Sequence, residues 1–247
     1  METLLDVWEG SLDIDETLLL SEGVKGLIIR LNDMNGGHHM DENFLSQWMQ
    51  ASSFLRAPYF VYNPWVDGLT NFNWMHDHLP SDGVTRVFAD VEVRYTGYPA
   101  ETYGQQLRKF IDKARQEYLI TIYTGGWFLP IVTPWPTDVD YWWARYPYTF
   151  YPSQKQYWSW KQWYEVSGVY GWSPDPSKLC PSTIKLWQCS GDRLILPGCA
   201  NRAIDMNLFN GNLASLEQWW GAEMPVTEDK LAILWREANI HGWNLSP

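Results

Sequence analysis

No apolar run in this chain approaches the roughly 20 residues of a membrane-spanning helix, and the opening Met1-Glu-Thr-Leu-Leu-Asp6 lacks the basic and apolar regions of a secretory signal. No membrane partner and no export signal are therefore expected, and synthesis is expected in the cytoplasm. Positive charge is scarce: 18 Lys and Arg stand against 29 Asp and Glu, a formal net charge of −11, and the basic residues form no cluster. Phosphate binding needs a basic surface, so no nucleic-acid partner is expected, and electrostatic adhesion to an anionic envelope is disfavoured. Cysteine is equally sparse. Cys180, Cys189 and Cys199 show no Cys-x-x-Cys spacing and read as buried thiols, with a single disulfide as the alternative. Neither Gly-x-Ser-x-Gly nor Gly-x-x-x-x-Gly-Lys occurs, which leaves acyl transfer and nucleotide hydrolysis without support. His38-His39 and His76-x-His78 stand near Asp33, Asp41 and Asp77 but lack zinc-type spacing, so they read as solvated loop histidines; no metal and no cofactor are expected.

What the chain does have is apolar and aromatic. With 247 residues, 45% of them hydrophobic, it can build one large core, the usual size of an undivided α/β barrel. Seventeen Trp and fourteen Tyr are too many to ignore, and most belong in the core. The run containing Trp142, Trp143, Tyr146, Tyr148, Tyr151, Tyr157, Trp158, Trp160, Trp163 and Tyr164 is hard to bury in full, so part of it is expected at a carbohydrate groove or a partner surface.

Short apolar runs recur at Leu4 to Val7, Gly26 to Leu31, Tyr59 to Tyr62, Val84 to Val93, Leu119 to Tyr123, Tyr141 to Ala144 and Ile184 to Gln188. Helical patterns between some of them suggest parallel strands joined by crossovers. Phe44, Trp48, Ala51 and Leu55 lie at helical spacing after Asp41, a candidate N-cap, and Tyr103, Leu107, Phe110, Ile111 and Ala114 do so after Pro99. Between about residues 130 and 182 the helical period is lost, so later crossovers are expected to lack helices. The fold class expected is α/β: an irregular TIM-like (β/α) barrel with a reduced helix count over residues 1–221. Residues 222–247 follow as a linker and an amphipathic helix carrying Leu231, Leu234, Trp235 and Ala238 on one stripe. That 227–240 helix packs on the barrel or meets another protein or domain.

The most informative pair is Asp90 and Glu92, at the end of Val84-Thr-Arg-Val-Phe-Ala-Asp-Val-Glu-Val93. Strand side chains alternate with period two, so both acids face one way with backbones roughly 6.5 Å apart. Sharing a site drives their pKa values apart, which allows one carboxyl to stay protonated while the other stays charged. In a parallel barrel the chemistry sits at the C-terminal ends of strands. Asp6 ends the first strand and Asp205 lies beside the last, so four acids converge on one rim. Paired acids of this kind perform glycoside hydrolysis.

These segments resemble the family 25 glycoside hydrolases, the lysozymes of fungal and phage type, over roughly residues 4–213. The matching pieces, in order, are Asp6-Val-Trp-Glu-Gly10; Ile28-Ile-Arg30 with Asp41 and Phe44; Pro58-Tyr-Phe-Val-Tyr62; Phe88-Ala-Asp-Val-Glu92; Ile122-Tyr-Thr124; Trp143-Ala-Arg-Tyr146; Leu186-Trp-Gln188; and Ile204-Asp-Met-Asn-Leu-Phe-Asn-Gly211. The resemblance implies cleavage of the β-1,4 bond between N-acetylmuramic acid and N-acetylglucosamine in the glycan strand of peptidoglycan. It implies Glu92 as general acid, Asp90 as the partner stabilising positive charge at the sugar or orienting its N-acetyl group, and Asp6 and Asp205 as supporting acids. Substrate contacts are expected from Tyr62, Tyr123, Trp143, Arg30, Gln188 and Asn207, and Asn207, Tyr62 or a backbone amide is expected to donate to Asp90. Arg30, Arg94 and Arg145 are candidates to meet lactyl or peptide carboxylates. The chain departs from the family where three residues, Val7-Trp8-Glu9, separate Asp6 from Gly10 and the family usually has five. The implied place of action is the cell wall, as a phage endolysin, a virion component or a released enzyme. A non-catalytic carbohydrate-binding or phage structural module on the same barrel, and a hydrolase of another amino-sugar polymer such as chitin, are the alternatives.

Overall fold

The computed structural model describes residues 1–11, 14–33, 38–81, 83–97, 99–146, 171–174, 182–199 and 203–221. Eight strands close into a barrel in chain order: β1 (Glu2–Val7), β2 (Val24–Arg30), β3 (Leu55–Val61), β4 (Arg86–Asp90), β5 (Leu119–Gly125), β6 (Asp140–Ala144), β7 (Ile184–Ile195) and β8 (Ala203–Phe209). Strands β1 to β7 pair in parallel, as the rhythm of apolar runs predicts. β8 breaks that expectation by running antiparallel to both β7 and β1. Residues 196–202 are all that separate it from β7, and a parallel return needs a crossover of a dozen residues or more. Asp205 therefore reaches the rim that carries the other acids from near the beginning of a reversed strand, directly opposite Asp6.

Five helices are described: α1 (Glu16–Ser21), α2 (Phe44–Gln50), α3 (Gly68–His78), α4 (Ala100–Ala114) and α5 (Leu213–Trp220). Local chemistry sets their starts. Asp15 and Asp67 accept hydrogen bonds from the first-turn amides of α1 and α3, and Asn212 with Ser215 forms a capping box on α5. Asp41 is not the cap of α2; Asn43 holds that position, and Leu55 opens β3. The β5–β6 connection carries only a 3-10 turn, Leu129–Ile131, in keeping with the loss of helical period there. His76 and His78 lie on α3 and not on a loop: His76 bonds Tyr118 Oη at 2.8 Å, and His78 stacks on Trp74 at 4.0 Å. Cys189 and Cys199 are buried thiols, while Cys180, Tyr148 to Tyr164 and the whole 222–247 segment lie outside the described residues.

Period-two alternation divides the core into two layers. Leu5, Val7, Ile29, Val87, Ala89, Ile122 and Trp187 point outward under the helices, while Leu4, Ile28, Ala57, Phe88, Trp142, Leu186 and Phe209 fill the barrel. Helix α5 closes the end of the barrel opposite the acids. Trp220 packs on Phe88 at 5.5 Å, Trp219 lies on Phe209 at 5.3 Å, and Arg86, buried on β4, donates to the Trp219 carbonyl and stacks over its ring. One mouth is thus plugged by aromatics, and the other is left for chemistry. Among the described residues no helix is long and apolar enough to cross a membrane.

Candidate active site

The inward residues at the open end are, apart from Val61, acidic or hydrogen-bonding: Asp6 on β1, Arg30 on β2, Tyr59 and Val61 on β3, Asp90 on β4, Tyr123 on β5, Trp142 on β6, Gln188 on β7 and Asp205 on β8. With Glu92 and the loop residues Trp8, Glu9 and Asp33 they line a cavity of about 380 Å³. All four acids expected from the sequence meet in it. β4 ends at Asp90, so Glu92 lies just beyond the regular strand. The extended path continues nonetheless: Val91 N–H donates to the Tyr123 carbonyl at 3.0 Å, and Thr124 Oγ1 donates to the Val91 carbonyl at 3.0 Å. Val91 packs outward in the core, and Glu92 turns back into the cavity.

Burial raises the pKa of Asp90 well above its ordinary value, and the neighbouring Glu92 and Asp6 charges push the same way; Arg30 opposes them. Glu92 is raised too, first by burial and then by Asp6. Neither side chain expected to donate to Asp90 reaches it. Asn207 Nδ2 donates instead to Asp6 Oδ1 at 2.7 Å, while its Oδ1 accepts from Trp142 Nε1 at 2.7 Å. Tyr62 faces outward, stacked on Tyr103 at 5.8 Å and edge-on to Phe110 of α4. Asp90 Oδ1 is left buried with no hydrogen-bond partner among the described residues.

Gln188 organises the opposite wall. Its Nε2 donates to Asp6 Oδ1 at 3.1 Å and to Asp205 Oδ2 at 3.4 Å, and its Oε1 accepts from the hydroxyls of Tyr123 and Tyr146, each at 2.8 Å. Arg30, Tyr123 and Gln188 thus line the cavity as expected substrate contacts would, and Asn207 supports Asp6 from beneath. Trp143 does not line it: by alternation it points outward, and its neighbour Trp142 takes the inward place. Arg30 is already engaged, with Nε on Asp41 Oδ2 at 2.9 Å, Nη2 near Glu9 Oε1 at 3.4 Å and its guanidinium 4.9 Å from the Trp8 ring. Arg94 and Arg145 are not among the lining residues.

Sequence reasoning missed Trp8, Glu9, Asp33, Tyr59 and Trp142. Tyr59 and Trp142 carried a usable signal, since each shares strand parity with an inward neighbour, Val61 and Ala144. Of the aromatic run that starts at Trp142, only Trp142, Trp143 and Tyr146 lie within the described residues. Trp142 and Trp143 are buried, whereas Trp8, Trp65 and Trp127, on loops after β1, β3 and β5, are 41–48% exposed, and Trp8 lines the cavity. Among the described residues no group of three His, Cys, Asp or Glu is arranged to hold a metal ion.

A closed barrel with four acids converging on a sugar-sized cavity at its open rim defines a barrel glycoside hydrolase. The family model described as Glycosyl hydrolases family 25 matches residues 5–172, and the chain belongs to that family. The fold is shared with solved structures at low identity. A family 25 glycosyl hydrolase from Bacillus anthracis superposes with a TM-score of 0.66 at 18% identity, covering 88% of this chain and 93% of that one. The bacterial lysozyme from Streptomyces coelicolor gives 0.67 at 17%, with coverage of 87% and 94%. A muramidase from Trichobolus zukalii gives 0.66 at 16%, with coverage of 89% and 98%. No curated protein matches the chain.

Proposed function

We propose that this glycoside hydrolase is a lysozyme that cleaves the β-1,4 bond between N-acetylmuramic acid and N-acetylglucosamine in peptidoglycan, and so acts at the cell wall. The observation that carries the reading is the acid pair Asp90 and Glu92, both raised in pKa by burial, on the wall of a cavity shared with Asp6 and Asp205 and lined by the exposed Trp8. The lysozyme and muramidase names of two structural neighbours support it.

Glu92 is the general acid. Burial and the nearby Asp6 charge favour its protonated form, and it delivers that proton to the leaving O4 as the bond to the anomeric carbon breaks. Asp90 acts on the N-acetyl group. Its unpartnered Oδ1 accepts the acetamide N–H while the acetamide carbonyl oxygen bonds to the anomeric carbon; burial disfavours its ionised form, and the positive charge developing at the sugar favours it. The Glu92 carboxylate then takes a proton from the water that adds to that carbon as its bond to the acetamide oxygen breaks, which restores the N-acetyl group and the Glu92 acid. Asp6 and Asp205, held by Gln188 and Asn207, supply negative charge behind the pair.

The test is release of reducing ends from purified peptidoglycan across about pH 4 to 8, wild type beside Glu92→Gln, with product masses. Removal of a general acid costs about 10²–10⁴-fold. The expected result is that loss, with products ending in reducing N-acetylmuramic acid. Equal cleavage of a substrate lacking the N-acetyl group would remove Asp90 from its stated role. Retained wall binding without any release would point to a non-catalytic module.

A further inference from the structure

The cavity that faces the sugar carries six carboxyl groups, Asp6, Glu9, Asp33, Asp90, Glu92 and Asp205, against one lining cation among the described residues, Arg30. That cation is enclosed on three sides. Asp41 holds its Nε at 2.9 Å, Glu9 stands 3.4 Å from its Nη2, and the Trp8 ring covers its face. The short Val7-Trp8-Glu9 turn builds this enclosure: Glu9 N–H donates to Asp41 Oδ2 at 3.0 Å and Gln47 Nε2 donates to the Trp8 carbonyl at 2.8 Å, which tie the turn down over Arg30. A substrate carboxylate entering here would meet like charge on several sides, with no cation but the enclosed Arg30 among the described lining residues.

N-acetylmuramic acid presents its lactyl group in two charge states. In intact wall the lactyl carboxyl is amide-linked to the stem peptide and uncharged; once the peptide is cut away it is a free carboxylate. Resting on the proposed muramidase reading, we infer that Glu9 is a specificity-determining residue that cancels Arg30, so that the enzyme takes glycan whose lactyl group is amidated and discriminates against the free lactyl carboxylate. Its place is therefore upstream of any amidase that strips stem peptides from the glycan. An amidase acting first would turn a good substrate into a poor one.

The experiment uses alternating N-acetylglucosamine–N-acetylmuramic acid tetrasaccharides in two forms, free lactyl carboxylate and lactyl primary amide, so that peptide contacts play no part. The wild-type enzyme should show kcat/KM about tenfold higher on the amide at low salt, the scale of one poorly screened like-charge contact. The ratio should shrink as added salt screens the cavity mouth, and shrink again in Glu9→Gln, which removes the exposed one of the two carboxylates held against Arg30. Glu9 is partly exposed, and thermal unfolding of Glu9→Gln checks that the variant is folded. The wild-type salt dependence tests the inference without any variant. Equal rates on the two forms, a preference that salt leaves unchanged, or one that Glu9→Gln leaves unchanged overturns the inference and leaves the muramidase reading standing. Failure to cleave either form, with no reducing ends from whole peptidoglycan, overturns both.

Discussion

Gln188 shows how much of the site rests on single side chains. Its amide bonds two carboxylates on one side and two tyrosine hydroxyls on the other, all under the cavity wall. Replacing it by Leu keeps the approximate volume but strips these groups of a partner, and a buried polar group left unpaired costs about 1–3 kcal/mol. Gln188→Leu is therefore expected to lose about that much stability in urea unfolding and to lower kcat/KM about tenfold or more as Asp6 and Asp205 drift. Unchanged kinetics would show that the two acids do not depend on it. Residues of this kind were legible in part. The acids could be found because strand ends and parity identify them, but the partner of each acid could not. Asn207 serves Asp6 and not Asp90 because β8 pairs antiparallel with β1, a relation no local pattern reveals.

At the scale of elements, the helices that cover the barrel meet it and one another at backbone distance. Gly68 opens α3 where a Cβ would sit 2.1 Å from the Gln106 carbonyl oxygen and 2.8 Å from the Phe110 nitrogen, both on α4. Alanine is the better helix former by about 1 kcal/mol, yet here it has to push two helices apart. Gly68→Ala is expected to destabilise the protein by about 1–3 kcal/mol and to lower its thermal midpoint; a stabilised variant would show that α3 slides without cost. Helix α4 was readable from Tyr103, Leu107, Phe110, Ile111 and Ala114, all of which are buried. Helices α1 and α3 were not, because their buried positions are few and interspersed with polar residues, such as Asn71 at the core end of α3.

For the molecule as a whole, a buried acid pair makes stability depend on pH. Asp90 and Glu92 have ordinary values of 3.8 and 4.5, and both are raised in the folded protein. The folded state then binds protons more tightly than the unfolded chain. The contribution is fully present below the ordinary values and is lost as pH rises through the raised ones. Exposed pairs act the other way: Asp138, held below the usual carboxylate range by Arg108 and Arg115, adds stability that is lost as pH falls. Solvent screening makes that part small. Asp90→Asn should consequently be more stable than wild type by about 1 kcal/mol at neutral pH, with the gap closing toward pH 4. Urea unfolding of both proteins at the two pH values measures this, and a gap that does not change with pH would mean that Asp90 is not strained by ionisation.

Strand positions, the acid pair, the convergence of four acids and the reduced helix count followed from the sequence alone, because apolar periodicity and strand parity are local properties of the chain. Tertiary structure decided the rest. It reversed β8, turned Trp142 inward and Trp143 outward, set Tyr62 against α4, and closed the short Asp6 turn over Arg30. Each of these depends on which strand lies beside which and on what fills the space between them, and contacts between residues far apart in the chain leave no periodic trace in it.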